Sequence, residues 1–178
     1  MKKIQIFLMS ILCFIFPGCQ NNSIEQYSHR KNKIDLRSFF DGEIEGWGAI
    51  FDYKGIQSRT FHVKIKAHWK DQNNGVLDEW FDFDDGEKTE RQWKVSFSNN
   101  SVFIANAKDV VGDAKGEQQG NAINMHYTLE VPYNKSTINL KMDDWMYLIE
   151  DGLILNKTSM KKFGFKVGEI VLFMKKKS

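Results

Sequence analysis

The chain has 178 residues, of which 42% are hydrophobic, 27% charged and 13% aromatic. That balance suits one globular domain and excludes a disordered chain, a collagen-like repeat or a polytopic membrane protein. The 25 Lys and Arg against 23 Asp and Glu give a net charge of +2, too weak a field to gather nucleic acid, which is excluded as a partner.

Lys2 and Lys3 precede an apolar run from Ile4 to Phe16, broken only by Gln5 and Ser10 and ending at Phe16-Pro17-Gly18-Cys19. This is the pattern of an export signal over residues 1–18. A spanning helix needs about 20 apolar residues, and the polar stretch from Gln20 arrives too early for one. Gly18 directly before Cys19 resembles a bacterial lipobox, with Cys19 the lipidated (palmitate-bearing) N-terminus of the mature chain; Phe16 stands where Leu is usual, and Pro17 is also uncommon there. Several acyl chains on one residue exceed the two-signal threshold for stable anchoring. Gln20 is not the aspartate of an inner-membrane retention signal, so the expected location is the periplasmic face of the outer membrane, with the membrane a partner through the N-terminal lipid. Loss of Lys2 and Lys3 leaves 23 basic against 23 acidic side chains and a net charge of zero. Cys13 leaves with the signal and Cys19 is lipidated, so the mature domain has no thiol for a disulfide, a nucleophile or a metal.

Residues 19–37 are polar with scattered apolar positions and read as a flexible tether. The domain spans 38–178, and there the period is two. Phe61, Val63, Ile65, Ala67 and Trp69 share one face, while Thr60, His62, Lys64, Lys66, His68 and Lys70 share the other. Further strands are predicted over 42–53, 76–84, 88–98, 102–107, 111–117, 122–131, 137–149, 153–158 and 169–175, with a short turn possible over 159–163. Turn signals separate them, among them Lys54-Gly55, Asn73-Asn74-Gly75, Asp85-Gly86 and Asp151-Gly152. Eight to ten antiparallel strands joined by short hairpins indicate an all-β fold: an up-and-down, lipocalin-like (calycin) barrel, with a β-sandwich as the alternative.

Motifs for chemistry are sparse. The acidic run Asp78 to Glu87 fails the EF-hand template, because counting from Asp82 puts Gly86 fifth and Glu87 sixth. His62 and His68 are six residues apart on one strand, roughly 20 Å, and cannot share an ion. Gly112, Gly116 and Gly120 lack the Lys-Ser/Thr of a phosphate loop and read as residues that relieve crowding. No metal site, cofactor or catalytic residue is nominated. Asp143 and Asp144, adjacent within an apolar run, must point to opposite faces of a strand, so one of them is expected inside, where a buried carboxylate needs a partner; Arg59, Arg91 and Lys141 are candidates. The candidate ligand-binding residues are Trp47, Trp69, Arg91, Trp93, Met125, Tyr127, Asp143, Asp144 and Trp145.

Phe39-Phe40-Asp41-Gly42-Glu43 with Gly46-Trp47-Gly48, Asp84-Asp85-Gly86-Glu87 with Arg91 and Trp93, Asp109-Val110-Val111-Gly112, Gly116 to Ala122, Asp143-Asp144-Trp145-Met146, and Lys162-Phe163-Gly164-Phe165 with Gly168-Glu169 resemble, in order, the blocks of the lipoprotein family called domain of unknown function 3833. The resemblance covers residues 38–175. It implies a lipocalin-like lipoprotein and hints at work on envelope lipid, but carries over no activity and no catalytic residue. The leading expectation is a barrel that binds a hydrophobic ligand, such as a fatty-acid or phospholipid chain. The alternatives are a filled barrel that docks a protein partner through its acidic loops, and an enzyme acting on membrane lipid.

Overall fold

The structure, a computed structural model, describes residues 22–177; the expected export signal and Cys19 lie outside them. Among the described residues ten strands follow one another: β1 Gly42–Asp52, β2 Gln57–Trp69, β3 Asn74–Phe83, β4 Lys88–Phe97, β5 Val102–Asn106, β6 Ala114–Gln119, β7 Ala122–Tyr133, β8 Ser136–Glu150, β9 Leu153–Lys162 and β10 Phe165–Lys176. Each pairs antiparallel with its sequence neighbour, and β1 pairs with β10, closing an up-and-down barrel rather than a sandwich. Closure leaves no sheet edge at the β1–β10 join. The expected turn over 159–163 falls later than predicted: β9 runs on to Lys162, and the chain reverses at Phe163 and Gly164, both at positive φ.

Alternation decides which side chains fill the barrel. Phe61, Val63, Ile65 and Ala67 of β2, Trp93, Val95 and Phe97 of β4, and Ile123 and Met125 of β7 form one core with Ile44, Phe103, Ile154 and Met174. Three aromatic rings lie directly across the ladder from glycines: Phe61 opposite Gly48, Trp69 opposite Gly75 and Phe103 opposite Gly116. A Cβ added at these glycines would sit 2.3, 2.6 and 2.1 Å from the nearest ring atom, so each ring occupies the space its partner leaves. Gly46 also faces inward, beneath Leu172 and Val63. With Gly46 and Gly48 both inside, Trp47 between them has to point out.

The tether reading fails from Ile24 onward. A 3₁₀ turn, Ile24–Tyr27, lies on the outer wall of β7 and β8, where Ile24 is buried with Ala122 and Trp145 and Tyr27 packs at 5.6 Å from both Trp145 and Tyr147. The chain then crosses the barrel end, with Ile34 N–H donating to the Gly120 carbonyl at 2.8 Å. It enters a one-turn helix, α1 (Leu36–Phe39), capped by Asp35, whose carboxylate accepts from Arg37 N–H. Leu36, Phe39 and Phe40 are buried and plug this end. The apolar positions Ile24, Ile34 and Leu36 are too sparse to show a period, yet each finds an apolar surface that the barrel leaves uncovered.

Candidate functional site

The ladders are long around most of the barrel and short in one sector. β4 pairs with β5 only from Lys94 to Phe97, and β5 with β6 only from Val102 to Ala105. Lys88 to Trp93 therefore have no strand partner on that side. The loop after β5 turns instead to β7, with a Val110–Leu129 bridge and Glu130 N–H donating to the Asp109 carbonyl at 2.8 Å. The result is a lateral seam between β4 and this loop, opening as an outer cleft of about 820 Å³ lined by Trp80, Glu90, Lys94, Lys108 and Asp109 among others.

Behind the seam lies a cavity of about 120 Å³ inside the barrel. Its apolar wall includes Phe61, Leu77, Trp93, Val95, Phe103, Met125, Met146 and Leu172, and its polar wall is Glu79, Arg91, Tyr127, Asp144, Asn156 and Thr158. Glu79 and Arg91 line both cavity and cleft. Few polar groups converging in an apolar concavity is the usual character of a ligand site. The volume approaches that of a cavity holding one aromatic ring and falls below the roughly 300 Å³ at which drug-sized ligands fit.

The polar groups are linked. Arg91 donates from Nε and Nη2 to the Asp109 carboxylate at 3.0 and 2.7 Å, closing the seam, and its Nη1 stands 3.8 Å from Glu79. Burial works against the Arg91 charge, but Glu79 and Asp109 hold the guanidinium protonated beyond its ordinary range. Burial raises the Glu79 carboxyl to about 7, against the opposing field of Arg91. Asp144 points inward from β8 and accepts from Thr158 Oγ1 at 3.0 Å, Tyr127 OH at 3.4 Å and Asn156 Nδ2. Its pKa is raised by burial, with those hydrogen bonds and the field of Arg91 opposing. Tyr127 is raised by burial and by Asp144.

Of the nine residues nominated from sequence, Arg91, Trp93, Met125, Tyr127 and Asp144 line the cavity. Trp69 packs against the core at the plugged end, its indole N–H on the Phe40 carbonyl at 2.8 Å. Trp47 is 52% exposed on the outer wall beside His62. Trp145 also points outward and is buried only because Ile24 and Tyr27 cover it. Asp143 is outside, accepting from the Trp145 indole at 2.9 Å and lying 3.6 Å from Lys161. The two adjacent acids are thus split by the barrel wall and do not form a carboxylate pair. The suggested partners divide likewise: Arg91 is inside, whereas Arg59 binds Asp85 and Glu87 at 2.7 and 2.9 Å on the β3–β4 hairpin. Sequence reasoning missed Glu79, Asn156 and Thr158. The signal for Glu79 was its parity with Leu77 and Phe81; for Asn156 and Thr158 it was their parity with Ile154.

A closed up-and-down antiparallel barrel with a small, partly polar interior is a lipocalin-like fold. The chain belongs to the family described as protein of unknown function (DUF3833), whose model matches residues 13–176. No curated protein matches it in sequence. Among solved structures, it is similar to a protein of unknown function of the DUF3598 family from Nostoc punctiforme (TM-score 0.57, 12% identity, 82% of this chain and 50% of that one), so it spans about half the length of that relative. It is also similar to an S-type phycobiliprotein lyase from Guillardia theta (TM-score 0.56, 8% identity, 88% of this chain and 99% of that one). At these identities the likeness is one of fold.

Proposed function

We propose that this protein is a lipid-anchored component of the bacterial envelope, held by Cys19 at the periplasmic face of the outer membrane, and that its barrel binds a hydrophobic or lipid ligand during envelope lipid maintenance. The observation that carries the ligand reading is the interior cavity with convergent polar side chains, whose Glu79 and Arg91 also face the outer cleft. Its small volume implies that only part of a ligand, a ring or a short length of chain, enters the barrel, while the rest lies in the cleft. The placement reading rests on Lys2, Lys3, the apolar run and Gly18-Cys19. Ile24 is packed on the barrel wall, so only a few residues separate Cys19 from it, and anchoring would hold the β7–β8 side close to the membrane.

Native mass spectrometry of the chain from Gln20 onward tests the ligand reading, with a co-purified small hydrophobic molecule expected and an empty protein that also binds no fluorescent fatty acid counting against it. Metabolic labelling with an alkyne palmitate tests the anchor: label on the wild type and none on Cys19→Ser is expected.

The small cavity also supports a second reading, in which the barrel is effectively filled and the protein docks a partner. The acidic β3–β4 hairpin is a weak candidate surface for that, because its acids are engaged: Asp82 with Lys88, Asp84 with Thr60, and Asp85 and Glu87 with Arg59. A pulldown with and without residues 82–87 separates the readings. An enzyme acting on membrane lipid would have to use Asp144 without Asp143.

A further inference from the structure

The polar wall of the cavity is rich in acid. Glu79 on β3, Arg91 on β4, Tyr127 on β7 and Asp144 on β8 all face inward, and Asp109 closes the group from the loop outside. Among the described residues Arg91 is the only Lys or Arg lining the cavity, so one cation meets two interior carboxyl groups and a third at the rim. That cation is already engaged, with Nε and Nη2 on Asp109 at 3.0 and 2.7 Å.

The two interior acids differ. Asp144 is held by Thr158, Tyr127 and Asn156. Glu79, 13% exposed, is met by the Trp93 side chain as a hydrogen-bond donor but has its nearest cation at 3.8 Å, beyond hydrogen-bonding range, and it stands where cavity and cleft meet. A carboxylate or phosphate brought to this place would face Glu79 and Asp144, and unless it displaced Asp109 it could reach Arg91 only through Nη1. Like charges in a poorly solvated site repel strongly, whereas a donor there satisfies an acceptor.

Building on the ligand-carrier reading, the geometry points to a ligand whose polar end is a hydrogen-bond donor, an ammonium group above all, held by Glu79 while its apolar part enters the cavity. Glu79, the interior acid at the junction with no cation within hydrogen-bonding range, fixes which end of the ligand faces the seam. The groups that set the field at Glu79 are Arg91 and Trp93 from β4, Asp109 from the loop, and Asp144 from β8. Because burial raises the Glu79 carboxyl to about 7, an ammonium ligand, by favouring the ionised carboxylate, makes Glu79 release its proton to solvent near neutral pH.

The test uses residues 20–178, which carry every strand and the N-terminal cap, and three probes of equal chain length: octylamine, octanol and octanoate. Calorimetric titration at pH 8 is expected to show octylamine binding at least tenfold more tightly than octanoate, with octanol between. The amine advantage shrinks toward pH 6 as Glu79 takes up a proton. Glu79→Gln removes the advantage of octylamine over octanol, while Glu90→Gln, on the outer wall of the cleft, preserves it. Octanoate binding as tightly as octylamine, or an amine preference that survives Glu79→Gln in a variant that melts like the wild type, overturns this inference and leaves the carrier reading standing. Should Glu79→Gln fail to fold, the wild-type pH dependence decides: an amine preference unchanged from pH 8 to pH 6 overturns it. Failure of all three probes overturns the carrier reading, and this inference with it.

Discussion

On one side of the barrel β1 is paired along almost its whole length, with β10 from Ile44 to Asp52 and with β2 from Gly42 to Phe51. On the other, β4 and β5 share only Lys94 to Phe97. The first region, the wall, is held by continuous ladders and by rings seated over glycines. The second, the seam, is closed over its open half by a loop and one Arg–Asp pair. Ladder hydrogen bonds and buried rings are insensitive to salt and pH, whereas an ion pair whose carboxylate is partly exposed is screened by salt. The protein thus concentrates what can open, and what can titrate, in a single sector next to its cavity.

The sharpest way to break the wall is Phe61→Ala. This removes a buried ring from above Gly48 and is expected to cost about 3–5 kcal/mol, read as a lower denaturant midpoint at constant m-value. An unchanged midpoint would mean that the ring does not fill the space above the glycine. Gly48→Val approaches the same pair from the other side: its Cβ would begin 2.3 Å from the Phe61 ring, and overpacking of this kind costs about 1–3 kcal/mol.

The seam responds to pH instead. With the Glu79 carboxyl at about 7 in the folded chain against 4.5 ordinarily, the folded state keeps a proton that the unfolded state has lost. Stability therefore falls as pH rises from about 4.5 through 7, by roughly 3 kcal/mol at one pKa unit per 1.36 kcal/mol. Glu79→Gln is expected to flatten that decline, so chemical denaturation of both proteins at pH 5 and pH 8 isolates it. If the two proteins lose stability in parallel, Glu79 is solvated in the folded chain.

Asp109→Asn is expected to have the smallest effect on stability, about 1 kcal/mol, because Asp109 is 38% exposed and water partly replaces what is lost. Its effect should appear in access. Amide hydrogen exchange over Lys88 to Trp93 is expected to quicken while exchange over β1 and β10 stays unchanged. Equal acceleration everywhere would show that the pair supports the whole barrel rather than latching the seam.

The regular parts of the fold were legible because each is a local pattern. Phe61 to Trp69 could be assigned to one face without knowing what they pack against, and the turn glycines marked where the strands end. Failures came where two elements compete for one space. Trp47 looked like a pocket residue until Gly46 and Gly48 were seen to yield the interior to Leu172 and Phe61. Trp145 looked internal because it is large and apolar, yet its burial is supplied from outside by Ile24 and Tyr27, which themselves read as tether. Glu79 sat in an acidic run whose other members are solvated, and only its parity with Leu77 and Phe81 set it apart.

By itself the sequence determined an all-β domain, its strand boundaries to within a few residues, its cysteine-free composition after Cys19, and the opposite facing of Asp143 and Asp144, because period-two alternation and turn chemistry depend only on neighbours along the chain. Tertiary structure decided which short strands leave a seam, how large the cavity is, that Arg91 latches Asp109, and that Glu79 stands at the junction of cavity and cleft. Those features depend on strand pairing and ring packing between residues far apart in the chain, where no local spacing carries the information.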